Sequence, residues 1–219
     1  VAHSLPVEIM ITRRAGVRAR VMLPLRIIMA FLSAFFAMQV AIFMGLNEIE
    51  ASITLPPPPD DNSLLGWVTN QVIGLMFVQL VIIVLLTGLK LLKIIGVEEL
   101  MRLSLTPFLR LIGIGKDAAT IAVVGVTLGI GFGGGLLIRE VDSGRIPKHD
   151  VFGVLTFLAI IHSIFEDTAV VMLIGPDFLI ITIGRLLMAM ILTAILTRVT
   201  INVSDVIWRK HLINQYVKT

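Results

Sequence analysis

Seven consecutive residues carry most of the reactive chemistry in this sequence: His162-Ser163-Ile164-Phe165-Glu166-Asp167-Thr168. They interrupt an apolar stretch, 151–176. At membrane depth each ionisable side chain costs about 2.5–3.5 kcal/mol on insertion scales and marks a site or a pathway. On a helix His162 and Glu166 are i and i+4 and share a face, as do Ser163 and Asp167. Thr168 is placed to satisfy backbone carbonyls. Such a cluster binds a cation, relays protons or hydrogen-bonds a polar solute. The competing structural reading is an aqueous loop between helices. A serine hydrolase is disfavoured, because Ser163 beside His162 points to another face and a nucleophile needs its base within reach. The sequence therefore reads as a non-enzyme.

The cluster has a twin. His3-Ser4 recurs as His162-Ser163 at an offset of 159, and in the same frame Glu8 meets Asp167, Gly16 meets Gly175 and Arg26 meets Arg185. Random apolar segments would match Leu with Ile; they would rarely match His, Ser, an acid, Gly and Arg without a gap. The first copy reads His3-Ser4-Leu5-Pro6-Val7-Glu8 and lacks the Glu-Asp-Thr triplet, so the two half-sites are expected to be unequal. Arg26 and Arg185 each follow their histidine by 23 residues. Each is a counter-charge or gate for an acid of its own copy or its twin's, or else snorkels to the interface. A glycine-rich segment precedes the second His-Ser, and its counterpart for Gly131 would fall at position −28. The expectation is that an upstream segment or a separate chain supplies that part.

The run Gly129 to Gly135 lacks the Lys-Ser/Thr of a phosphate-binding loop and any βαβ context. In a membrane, Gly131, Gly133, Gly134 and Gly135 either let helices approach closely or let the backbone open over a cavity. Glu140 is placed to cap or line the same region. Asn70, Gln71 and Gln79 read as interhelical hydrogen-bonding groups or as a polar path.

The elements that hold these residues are apolar helices. The chain of 219 residues is 57% hydrophobic and 15% charged, against about 25% charged in soluble domains, and its mean hydropathy is +0.98. Stretches 21–45, 64–89, 117–138, 151–176 and 178–199 suggest an all-α integral membrane fold of about five transmembrane helices, some re-entrant or broken. Residues 94–116 read as an amphipathic interfacial helix broken near Pro107. The absence of cysteine excludes disulfides, thiolate metal sites and cysteine nucleophiles. A net charge of +3 without a basic, aromatic-interleaved run excludes nucleic-acid binding. Arg13, Arg14, Arg18 and Arg20 place residues 12–20 inside, while Glu48, Glu50, Asp60 and Asp61 place the proline loop 46–63 outside. The domains are then 1–45, the end of a first repeat; 46–98, loop and connecting helix; 99–199, the second repeat; and 200–219, a polar tail.

The run Gly131-x-Gly133-Gly134-Gly135 through Arg139-Glu140, then Ser143-Gly144-Arg145, then His162-Ser163-x-x-Glu166-Asp167-Thr168, resembles the Gate or nucleoside recognition family of prokaryotic membrane proteins. That family includes the spore maturation A and B proteins and the Gate segments of the FeoB iron transporter. Residues 99–199 carry the resemblance best. It implies a permease-like helical fold in a prokaryotic cytoplasmic membrane, multi-pass, with paired re-entrant elements. Combined with the repeat, it leads to the expectation of a transporter moving a small polar solute or ion. Its site would comprise His162, Ser163, Glu166, Asp167, Thr168, His3, Ser4 and Glu8, with Arg26 and Arg185 as counter-charges. No cofactor is expected, a coupling ion or metal is left open, and partners would be the bilayer, a further copy or another membrane chain. The alternative is a non-transporting structural or signalling subunit that assembles with a partner.

Overall fold

A computed structural model describes residues 4–48, 63–162 and 164–213, and among them the regular elements are helices. Helix α1 (Leu5–Arg14) carries Pro6 and Glu8 in its first turn and Arg13 and Arg14 in its last, each suited to the local end of the helix dipole. Gly16, at φ 84°, reverses the chain into α2 (Ala19–Phe43). Helix α3 is Leu64–Ile95 and α4 is Val97–Leu111. Then come α5 (Lys116–Leu128), α6 (Ile130–Asp142), α7 (Lys148–Ile160) and α8 (Ile164–Val171). A π-helical turn, Ile180–Gly184, opens into α9 (Arg185–Ile201).

Four segments are long and apolar enough to cross a bilayer: Ala19–Phe43, Leu64–Gly88, Lys148–Ile174 and Ile180–Ile201. The fold is that of an all-α membrane protein. The stretch 117–138 is its re-entrant element. Gly129 adopts φ 89°, ψ 164°, a conformation that side chains avoid, and α6 folds back along α5. A Cβ on Gly133 would stand 2.4 Å from the Gly125 Cα, so the two backbones touch four residues either side of the turn. Helices of 13 residues reach only about 20 Å, too short to cross.

The break near Pro107 does not occur. Helix α4 runs through it, because Leu105 and Leu109, buried on either side of the proline, hold both turns against the core. The tail is not merely polar. Trp208 is fully buried, donates its indole N–H to the Thr200 carbonyl at 3.1 Å, and contacts the rings of His149 and Phe152.

The repeat is built into the backbone. Helices α1 and α8 begin at Leu5 and Ile164, one offset of 159 apart. Gly16 and Gly175, again 159 apart, both take left-handed φ, 84° and 76°. The two copies run in opposite senses. The start of α2 lies beside the end of the described chain, where Val17 bridges Ile213 and Arg18 Nε donates to the Ile213 carbonyl at 2.9 Å. The far half of α2, Ser33 to Val40, lines a cleft with Ile180 and Ile181, just ahead of α9. Helix α2 and the 180–201 segment are therefore antiparallel, and the repeat is inverted.

Candidate functional site

Helix α7 ends at Ile160 and α8 starts at Ile164, so the transmembrane segment is discontinuous. The carbonyls at the end of α7 lack partners within their own helix and carry the negative end of its dipole. Both repeat arginines are aimed at them. Arg26 donates to the Ala159 carbonyl and Arg185 Nε to the Ile160 carbonyl at 3.1 Å. Each arginine also pairs with the acid of its own copy: Arg26 with Glu8, and Arg185 Nη2 with Asp167 Oδ2 at 2.6 Å. The two ion pairs thus obey the same 159-residue offset as the helices.

Their surroundings differ. Glu8 and Arg26 are sealed, with side chains 5% and 1% exposed, whereas Asp167 and Arg185 are both 12% exposed. The second pair sits in the wall of a cleft of about 290 Å³ between α2, α8 and the π-helical turn. Ser33 and Thr168 bring hydroxyls to the same cleft, and neither has a hydrogen-bond partner among the described residues. Apolar side chains such as Phe36, Val40 and Met188 make up the rest of the wall. A polar floor between apolar sides suits a solute that must be stripped of water and held by few contacts.

His162 is buried in the break itself. Its Nδ1 lies 2.9 Å from the Leu158 carbonyl, which only accepts, so Nδ1 carries the hydrogen. The same nitrogen is 3.3 Å from Glu8 Oε1. The histidine of one copy therefore serves the acid of the other. The expected i, i+4 pairing of His162 with Glu166 does not form: the helix restarts only at Ile164, after the histidine. Glu166 is half-buried and makes no ion pair among the described residues. Thr168 does not satisfy a backbone carbonyl as its sequence position suggested; its hydroxyl belongs to the cleft.

Ser4 is exposed and stands at the residue before α1 in a left-handed conformation, φ 60°, without a side-chain capping bond to the helix. His3 and Ser163 lie outside the described residues. The glycines divide by function of place. Gly133 meets Gly125, and Gly134 meets the Ile11 side chain, so both serve close packing; a Cβ on Gly131 or Gly135 would meet nothing within 4 Å. The backbone opens instead at Gly129. Asn70 on α3 is half-buried, and Gln71 and Gln79 are exposed. Sequence reasoning missed Ser33 and the π-helical turn. A lone serine among apolar residues carries no spacing signal, and π-helical turns, which often accompany functional sites, have no composition of their own.

No family model matches the chain. No solved structure matches it either. It is similar to a Bacillus subtilis (strain 168) protein described as the uncharacterized membrane protein YvoD, with 26% identity over 203 residues. That stretch is 91% of this chain and 63% of the relative, so the chain spans less than two thirds of the relative's length. The relationship supports a membrane protein. The Gate resemblance rests on the motif residues alone.

Proposed function

We propose that this protein is a permease-like carrier whose two half-sites, Glu8–Arg26–His162 and Asp167–Arg185–Thr168, open in turn to opposite faces of the membrane. One observation carries the reading: inverted copies place equivalent ion pairs at one helix break, with one pair sealed and the other bordering a cleft. Inverted repeats meeting at discontinuous helices are a recurring transporter design, in which one repeat rocks against the other. The sealed half-site is next to the arginine loop, the inner side by charge; the cleft faces the outer half. Small polar solutes or ions are the cargo class. The resemblance to the Gate family points the same way without naming a solute, and the protein would be a carrier rather than an enzyme. A subunit role is the second reading, favoured by α3, whose membrane window has no buried residue.

The chain has no cysteine, so single cysteines report without background. Ile181, in the cleft, has Met22 as its equivalent at the sealed half-site, where Met22 is 2% exposed. The variants Ile181→Cys and Met22→Cys would be treated in membrane vesicles with an impermeant maleimide from either side. A carrier labels at both positions, each from one face only, and cross-linking one half-site shut raises labelling at the other. A static subunit labels at position 181 alone.

A further inference from the structure

The segment after α9 folds back onto the link between α1 and α2 and brings cations together there. It turns through Asp205–Ile207 into a second π-helical turn, Trp208–Leu212, which Trp208 plugs into the core. The other side of the turn is held by two arginines. Arg18 donates its backbone N–H to the Leu212 carbonyl at 2.9 Å and Nη2 to the Arg209 carbonyl at 3.1 Å, and Arg20 Nη2 donates to the Lys210 carbonyl at 3.0 Å. The Arg209 and Lys210 side chains leave the backbone at the very residues these guanidiniums hold, and both are exposed. Arg13 and Arg14, exposed as well, close α1 just before the link. Among the described residues none of these six cations has an ion pair, although Arg102, Arg145 and Lys148 elsewhere each face an acid. Asp205, the one acid in residues 200–213, is taken by Lys148. Like charges at this spacing repel, and bonds from side chain to backbone hold them together all the same.

From this clasp we infer that Arg13, Arg14, Arg18, Arg20, Arg209 and Lys210 form a docking surface for the phosphate headgroups of anionic phospholipids. Its level in the membrane fits. The cluster stands where the span Ala19–Phe43 begins and the span Ile180–Ile201 ends, which is the depth of the headgroup phosphates. Its neighbours choose lipid over a soluble anion. Ile201 is 66% and Val206 74% exposed, and Val199 and Ile207 are exposed beside them. A soluble anion would leave these side chains in water, whereas a phospholipid covers them with its acyl chains while its phosphate meets the guanidiniums. A short segment with cations on one side and apolar residues on the other lies in the interface in this way. Guanidinium also matches phosphate with paired N–H donors. The headgroup must carry net negative charge, because a zwitterionic one brings its own ammonium and leaves the repulsion among the six cations in place. The bound lipid then fastens the 205–213 segment to the start of α2. Nothing in this inference depends on transport.

The test is native mass spectrometry of the full chain, titrated in detergent with phosphatidylglycerol or with phosphatidylcholine of the same acyl chains. The first phosphatidylglycerol should bind at least tenfold more tightly than the first phosphatidylcholine. Each cation near an anionic headgroup strengthens binding about fivefold, so Arg209→Gln with Lys210→Gln should weaken phosphatidylglycerol at least tenfold and leave phosphatidylcholine unchanged. Those two side chains hold nothing else among the described residues, so the variant keeps its fold, which gel filtration and Trp208 fluorescence check. The exposed pair Arg110→Gln with Arg139→Gln, outside the cluster, should keep the preference for phosphatidylglycerol. Equal affinity for the two lipids would overturn the inference, as would an equal loss in the pair outside the cluster. Displacement of the bound lipid by inorganic phosphate at constant ionic strength would overturn it too, since the occupant would then be a soluble anion.

Discussion

Replacing Glu8 by Gln keeps its shape and removes one charge from the sealed pair. Arg26 is then a buried cation, 1% exposed, holding the Ala159 carbonyl without the Glu8 carboxylate beside it. Breaking a buried pair from one side costs about 3–5 kcal/mol. The end of the α7 dipole offsets at most about 2 kcal/mol of that, leaving about 1–5 kcal/mol. For a chain of this size each kcal/mol moves the melting midpoint by roughly 2–4 °C, so Glu8→Gln should melt on the order of 10 °C lower in detergent. Arg26→Gln should be milder. A stranded carboxyl neutralises itself by binding a proton, whereas a guanidinium does not release one. The double variant Glu8→Gln with Arg26→Met removes both charges and should regain most of the loss, since apolar replacements of buried pairs are often neutral. The assay is thermal unfolding of the four proteins in one detergent. Additive losses, or a single-variant loss under about 1 kcal/mol, would refute the claim that these residues form one desolvated pair.

Two further outcomes follow from the same geometry. Gly133→Ala pushes a methyl group into the Gly125 backbone and should destabilise by about 1–3 kcal/mol, while Gly131→Ala and Gly135→Ala, with open space around them, should be neutral or gain about 0.5–1 kcal/mol; unfolding of the three variants side by side checks this. The Lys148 ammonium beside exposed Asp205 holds that carboxyl below the usual carboxylate range. Its contribution is present above the unfolded value of 3.8 and is lost as pH falls below it, so proteolysis of the 202–213 segment should quicken only at that acid end, and Asp205→Asn should remove the pH step.

The repeat was legible because polar residues are rare in this chain. His, an acid, Gly and Arg in one frame stand out against apolar filler, and the left-handed Gly16 and Gly175 show that the frame is structural. The two arginine pairings could be named but not assigned, since spacing alone does not say which copy's acid is closer. The hairpin at Gly129 was hidden: hydropathy sums over 117–138 read as one span whether or not the backbone reverses, and only φ at one glycine decides. The tie of His162 to Glu8 joins residues 154 positions apart, across copies, where a local i, i+4 rule sees only Glu166. Pro107 misled in the opposite direction, because two buried leucines outweighed the lost hydrogen bond.

The central claim is that two inverted half-sites open alternately. In this chain without native cysteine, spin labels on Ala37→Cys with Ile181→Cys measure the cleft, and labels on the equivalents Leu196→Cys with Met22→Cys measure the sealed half-site. Pulsed electron–electron distance measurements in bilayers should give two populations for each pair, the open fraction of one matching the closed fraction of the other, and Asp167→Asn should shift both together. A single narrow distance for each pair, unmoved by Asp167→Asn, would contradict the account.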